Sequence, residues 1–559
     1  MNDLKLRTEP TESDVRTLDA VVIGAGFAGL YALYRLREMG LSVRIYEGAA
    51  GVGGTWWWNR YPGARVDFPS APYYAYTFSE ELLNEWNWQE RQPSQAEVLA
   101  YLDFVADKLE IRADIQLETW IQEAAYDGTS QRWKIETSHG ERISAQFLIC
   151  AMGTLSEANK PNIPGIDDFA GELIHTGRWP AEEVTFAGKR VGVIGTGSSG
   201  IQSIPMIARE AEHLTVFQRT PQYSIPAGNR PVTPEEVADA RENFNKRREY
   251  MSVSPLGMPY PMSERSALAD SPEKRDQVYE ALWQDGGLQM LFNSYNDLLL
   301  NKASNDTLAE FIRGKIRGIV KDPATVEKLL PDYILGTKRQ AIDDGYFESF
   351  NRDNVELVDL RNDPIKKITA GGITTTSGEH ALDMLVLATG YDAITGKLLR
   401  LNPKGRGGVD LATAWSKRFF TYLGVAIPGF PNLFMVHGPQ SPSVLYNMPY
   451  GGEMESDWIR DCIAYLRDNN MASIEPAAGV DDAWAESVEE AAKQTLFHGT
   501  DSWYSGANIE GKHRQFIVHL GGPEYFKHLK QIAESNYEGF VLEKEPATVT
   551  QRSDTSNVW

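Results

Sequence analysis

The chain has 559 residues, 42% of them hydrophobic, which is enough for two or three domains with cores of their own. Its formal net charge of −22 disfavours nucleic acid and anionic membrane surfaces as partners. No apolar run reaches transmembrane length, the opening stretch 1–10 is polar with no signal-peptide core, and Cys150 and Cys462 have no redox or disulfide spacing, so a cytoplasmic protein without a metal site is expected.

Residues 1–18 read as a loose polar extension. An apolar strand at 21–23 then runs into Gly24-x-Gly26-Phe27-x-Gly29, a helix follows at 30–39, and a second strand at 42–46 ends in Glu47. The glycines permit a tight turn and close backbone approach to a pyrophosphate, and the helix N-terminus offers free N–H groups. Glu47 stands where an acid accepts hydrogen bonds from a ribose. Next comes a Gly/aromatic loop containing Gly53, Gly54, Thr55, Trp56, Trp57, Trp58, Tyr61 and Asp67. Three successive tryptophans cannot share one face of a strand or helix, so the loop reads either as contact with a flat ring system or as an aromatic core corner.

Helical spacing is expected over about 94–110. A hairpin arm follows at 133–137, and a buried strand ending at Gly153 closes the first half-domain. The opening theme then returns as Gly195-Thr196-Gly197-Ser198-Ser199-Gly200. This internal repeat implies a second dinucleotide site. Its second strand, at 214–218, ends in Arg219 and Thr220. A base there suits a ribose 2′-phosphate, so the second nucleotide reads as NADP rather than NAD. Residues 222–330 look like a charged helical insertion without chemistry of its own. Lys338 and Arg339 follow a turn; a solvated basic pair is the bland reading. A strand at 383–390 is expected to return the chain to the first domain. Another strand lies at 434–439, then a loop over 441–453, a helix over 453–469, and an aromatic loop around Trp503. The fold class expected is α/β, with two Rossmann-like dinucleotide-binding domains. The first takes 19–153 and 385–559, the second 154–221 and 331–384, and the helical insertion 222–330.

Two longer patterns carry a family resemblance. Phe169, Gly171, His175, Trp179 and Pro180 meet the fingerprint Phe-x-Gly-x-x-x-His-x-x-x-Trp-Pro in full. Gly53, Gly54, Trp56, Tyr61, Pro62, Gly63 and Asp67 meet a second pattern. With both nucleotide motifs in order, the chain resembles the type I Baeyer–Villiger monooxygenases, nearest to phenylacetone and steroid monooxygenase-like members. The resemblance implies FAD in the first site and NADPH in the second, with a ketone and O₂ converted to an ester or lactone through a C4a-peroxyflavin and a Criegee adduct. It places stabilisation of the successive anions on Arg339, held by Asp67. It gives the NADP 2′-phosphate to Arg219 and Lys338, the nicotinamide ribose to Trp503, and interdomain coupling to His175 and Trp179. Phe68, Leu155, Val444, Leu445 and Ile517 become pocket-wall candidates. Gln340 and Glu510 depart from the family pattern, and Gln340 adjoins Arg339.

A flavin-dependent N- or S-monooxygenase shares both nucleotide motifs, but its linker usually lacks the Trp179-Pro180 ending. A disulfide reductase needs a redox cysteine pair that the sequence does not show. The ketone itself is not readable, and a monomer or weak homo-oligomer is expected.

Overall fold

The computed structural model describes residues 15–68, 73–258 and 262–544. The two glycine motifs sit at the heads of two separate sheets. In the first sheet Val15–Ile23 lies between Val43–Tyr46 and Arg142–Cys150, parallel to both. The start of Arg142–Cys150 pairs antiparallel with Arg132–Thr137, and its end pairs parallel with Leu433–Met435. In the second sheet the order is Val355–Asp359, His213–Gln218, Arg190–Ile194, Met384–Leu387, Glu172–His175, all parallel. Parallel strands need both faces covered, and each sheet has its own apolar core, with Leu30, Leu33 and Val98 in one and Ile201, Ile204 and Val386 in the other.

Several boundaries differ from the sequence reading. The first strand starts at Val15, so 15–18 are sheet; residues 1–14 lie outside the described residues. Met384–Leu387 does not enter the first sheet but completes the second, between Arg190–Ile194 and Glu172–His175. The stretch 169–180 is likewise no free linker, because Glu172–His175 forms the edge of that same sheet. The chain crosses between sheets at 154–159 and 389–394. There the two crossings pair with each other: Asn159 N donates to Gly390 O (2.9 Å), Asp392 N to Glu157 O (2.9 Å) and Ile394 N to Thr154 O (2.8 Å). The helix expected from 453 begins at Met448. Asn447 caps it through Tyr450 N, and Gly451 and Gly452, which suggested a loop, lie inside the helix, glycine because Tyr446 and His437 leave no room for a larger side chain. A Cβ on Gly452 would stand 3.1 Å from His437 Nε2.

The insertion is bracketed by its own small parallel pair, Ser224–Pro226 with Ala341–Asp343. It is mainly helical, its longest helix being Lys302–Ile319.

The two glycine loops repeat one geometry. Gly24 and Gly195 have φ of +103° and +104°, a region L-residues avoid. A Cβ on Gly29 would lie 1.8 Å from Gly24 O, and one on Gly200 2.3 Å from Gly195 O. The third glycine of each motif therefore lets helix and strand close up. Overpacking of this kind costs about 1–3 kcal/mol. Gly200→Ala is expected to lower the melting temperature by a few degrees, followed by circular dichroism. Gly197→Ala, whose Cβ would meet nothing within 4 Å, should melt like the parent; equal melting of both variants would contradict the packing account.

Candidate active site

One cavity of about 2130 Å³ is lined by both glycine loops. Single ligand sites span roughly 300–1,000 Å³, so this space accommodates two dinucleotides and a further small molecule. Gly24, Gly26, Phe27, Glu47, Gly54, Thr55, Trp56 and Tyr61 line it from the first domain. Gly195, Thr196, Gly197, Ser198, Ser199, Arg219 and Thr220 line it from the second. Asp67, Lys338, Arg339, Trp503, Phe68, Leu155 and Val444 share the same space. Leu445 and Ile517 are not among the lining residues; Ile517 is 2% exposed and belongs to the core beneath, so neither stands as a pocket wall. Gly29, Gly200, Phe169, Gly171, His175 and Trp179 do not line it either and act through packing.

Glu47 is 6% exposed, and its oxygens accept from Ala25 N (2.7 Å) and Ala49 N (2.8 Å). Burial raises its pKa, against the pull of these backbone donors. The carboxylate thus fixes the loop after the first strand and keeps its remaining lone pairs for the cavity.

The tryptophans form a short helix, Thr55–Trp58, closed by Asn59, whose side-chain amide donates to Thr55 O (2.9 Å). Trp56 and Trp58 face the cavity, while Trp57 stacks on the Arg60 guanidinium at 4.1 Å. Downstream, Tyr61 donates to Gln202 of the second glycine-loop helix (2.8 Å). Gly63 is needed there, since a Cβ would sit 2.3 Å from Gln202 O.

Asp67 and Arg339 meet across 272 positions of sequence. Arg339 Nε and one terminal nitrogen donate to Asp67 Oδ2 at 2.9 and 2.7 Å, and the other terminal nitrogen donates to Val444 O at 3.1 Å. The guanidinium carbon lies 5.4 Å from the Phe68 ring centre. Burial pulls the Arg339 pKa down, but Asp67 and Tyr504 outweigh it and the net shift is upward. Tyr504, 1% exposed, was not singled out from the sequence; burial pushes its pKa up to about 12, against the Arg339 charge, so it stays a neutral hydroxyl. Its only signal was adjacency to Trp503. Gln340 is 3% exposed, and among the described residues neither of its amide atoms has a hydrogen-bond partner.

The loop that offers Val444 O is strained. His437, Gln440 and Ser443 have φ of 58°, 70° and 41°, a left-handed region that costs about 1–3 kcal/mol per non-glycine residue. Its neighbours hold it there: Thr421 N and Oγ1 donate to Gln440 Oε1 (2.9 and 2.8 Å), and His437 N donates to Glu455 (2.6 Å).

At the second nucleotide loop, Arg219 and Lys338 have no carboxylate within salt-bridge distance among the described residues. Lys338 Nζ stands 4.7 Å from the Tyr333 ring centre, and burial, with the Arg219 charge next, lowers its pKa. The Asp501 and Asp332 charges pull it the other way without reaching salt-bridge distance. His175 accepts from Gly177 N (2.9 Å) and contacts Thr389 Oγ1 (3.3 Å); burial pulls its pKa down to about 4, so it is neutral. Trp179 N donates to Trp58 O (3.2 Å), tying the fingerprint segment to the tryptophan helix. Arg178, a variable position of the fingerprint, lines the cavity with its guanidinium 4.7 Å from the Trp58 ring centre, a contact the motif gave no reason to expect.

A family model described as pyridine nucleotide-disulphide oxidoreductase matches residues 21–251; both cysteines of this chain are free and buried. The chain is similar to a phenazine N-monooxygenase of Lysobacter antibioticus, 42% identical over 96% of this chain and 99% of that protein. It is similar to a Baeyer–Villiger monooxygenase of Pseudooceanicola batsensis, 41% identical over 97% and 99%. Similar solved structures include an oxidized steroid monooxygenase bound to NADP, 47% identical, covering 94% of this chain and 100% of that one with a TM-score of 0.89. Another is an OTEMO complex with FAD and NADP, 39% identical, covering 94% and 100% with a TM-score of 0.91. No helix among the described residues is long and apolar enough to cross a membrane.

Glu455, behind the strained loop, gives a pH signature. It is 1% exposed, accepts from His437 N and the Tyr525 hydroxyl, and burial pushes its pKa from the usual 4.5 up to about 7. The unfolded chain therefore loses this proton first, and the Glu455 contribution to stability falls as pH rises from about 4.5 to about 7. Glu455→Gln removes that dependence. Its melting temperature, measured against the parent, should climb between these two pH values; a constant difference would mean that Glu455 is ionised throughout.

Proposed function

The chain belongs to the Baeyer–Villiger monooxygenases, enzymes that use FAD and NADPH, and from that membership we propose how its own residues insert an oxygen atom beside a ketone carbonyl. The cofactors fit the residues present. A Cβ on Gly197 would meet nothing within 4 Å and one on Gly26 only Gly54 at 3.5 Å, so neither helix N-terminus, where a pyrophosphate would lie, is closed by a clash. Trp56 and Trp58 face the first site, and the unpaired cations Arg219 and Lys338 face the second.

FAD, once bound here and reduced by NADPH, would supply the activated oxygen. The protein must then stabilise the negative charge that develops on the ketone oxygen and exclude water from it. Arg339 suits this role because its guanidinium cannot deprotonate and presents a fixed fork of five N–H donors. Asp67 and Val444 use three of them. The remaining two are available to Tyr504 and to an oxygen atom in the cavity. Donors fixed in advance of charge development lower the barrier without reorganisation, and Asp67 keeps this fork in place. Phe68, Leu155, Val444 and Tyr446 make the surrounding wall largely apolar, which supports an apolar ketone as substrate. The single observation that carries the reading is the Arg339–Asp67 pair inside one cavity lined by both nucleotide loops. The demand for NADPH and the free, buried Cys150 and Cys462 support a cytoplasmic setting.

The reading is tested with ¹⁸O₂, NADPH and a panel of linear, cyclic, aryl and steroid ketones, with products followed by mass spectrometry. An ester or lactone carrying one ¹⁸O is expected from at least one ketone. A phenazine in the same panel tests the N-oxygenation named for the Lysobacter relative. N-oxide formation with no ester from any ketone would overturn the assignment of roles.

A second prediction concerns the nucleotide. Hydrogen bonds to charged groups contribute about 1.5–3 kcal/mol each. Arg219→Ala combined with Lys338→Ala should raise the KM for NADPH at least tenfold and leave the KM for NADH nearly unchanged. Equal efficiency of the parent with both nucleotides would contradict a 2′-phosphate site.

A further inference from the structure

Where the two crossings between the sheets pair, Ala158 and Tyr391 stand opposite each other in an antiparallel bridge. Tyr391 lines the cavity and makes contacts in four directions. Its hydroxyl donates to Asn59 Oδ1 at the end of the tryptophan helix. Its ring meets His175 edge-on, with centroids 6.1 Å apart. A Cβ on Gly177 would stand 2.5 Å from the hydroxyl oxygen, so this glycine makes room for the group. Its carbonyl accepts from Asn508 in the loop that carries Trp503 (2.7 Å). One residue on the crossing thus touches the first domain's tryptophan helix, the second domain's edge strand and the loop after Trp503.

The Asn59 contact is the one that reaches toward the flavin. Asn59 is 8% exposed, and its amide nitrogen is already engaged with Thr55 O, which fixes the side-chain oxygen toward Tyr391. Burial raises the Tyr391 pKa, which keeps the hydroxyl a donor. Trp56 and Trp58, on the helix that Asn59 closes, both line the cavity. A shift of the crossing is therefore passed by a hydrogen bond to the aromatic surface beside the first nucleotide site.

The geometry points to Tyr391 as a positioning residue: its hydroxyl, through Asn59, couples the interdomain crossing to the tryptophan helix and so keeps the oxidation of NADPH coupled to ester formation. This rests on the oxygenation reading above. The role is distinct from that of Arg339, since Tyr391 acts on the aromatic wall and offers no charge.

The test compares the Tyr391→Phe holoenzyme with the parent, because this change deletes only the hydroxyl. Amide exchange across residues 55–59, read by mass spectrometry, should quicken about fivefold, the factor an ordinary buried hydrogen bond contributes. Flavin content should be retained. The share of NADPH that emerges as hydrogen peroxide instead of ester should rise at least threefold. Adding Tyr391→Phe to Asn59→Leu should change that share no further, because both act through one bond. Unchanged exchange, an unchanged peroxide share, or additive effects in the double variant would each overturn the proposal. If Asn59→Leu does not fold, the exchange and peroxide measurements on Tyr391→Phe decide. A parent enzyme that makes no ester from any ketone would instead sink the functional reading, and the exchange measurement would still judge the hydrogen bond.

Discussion

The structure turns on one ion pair. Asp67 follows the tryptophan loop of the first domain; Arg339 leads into Ala341–Asp343 beside the second. They meet at 2.7 Å with 28% and 23% of their side chains accessible, respectively. A cation this enclosed is costly without a counter-charge. An arginine whose charge is meant to act on a ligand must therefore be neutralised from one side only. The geometry does that: Asp67 takes Nε and one terminal nitrogen, Val444 O takes the other, and the two remaining donors lie toward Tyr504 and the cavity. The strained loop 437–443 leads into Val444, whose carbonyl makes that contact, and Thr421 and the buried Glu455 hold the loop in place.

Around this pair the two glycine loops are near-copies in backbone geometry but opposite in charge at the end of the strand that follows each loop's helix. Glu47 is occupied by backbone donors and held within the fold, whereas Arg219 and Lys338 stand without carboxylate partners. The contacts between the domains follow the same division. Tyr61 and Gly63 press the Asp67 strap onto the second glycine-loop helix, and the crossings at 154–159 and 389–394 are hydrogen-bonded to each other.

Much of this was legible because each signal answers to a single physical demand. Gly24, Gly29, Gly195 and Gly200 are required by backbone angle or by a contact that no Cβ survives, so their spacing identifies both loops. Arg219 is expected beside the second nucleotide from its charge at the end of a strand, and it lines the cavity. Other features depend on tertiary contacts that leave no periodic trace. Met384–Leu387 reads as a buried strand in either sheet, and only pairing decides between them. Gly451 and Gly452 read as loop because their reasons for being glycine are Tyr446 and His437, neighbours from outside the helix. Leu445 and Ile517 are apolar near the site yet belong to its foundation. Tyr504 and Tyr391 carry no motif of their own, since a tyrosine hydroxyl is placed by whichever partners the fold brings near.

The central claim is that Arg339 acts on the oxygenation step and not merely on nucleotide binding. The most direct measurement follows Arg339→Ala through two stages, flavin bleaching by NADPH without oxygen and ester formation once oxygen and ketone are admitted. Loss of one fixed donor to a developing oxyanion typically costs about 10²–10³ in rate. The account predicts that bleaching persists while ester formation falls by at least that factor, with Arg339→Lys failing to restore it. Near-normal ester yield from Arg339→Ala would contradict the account.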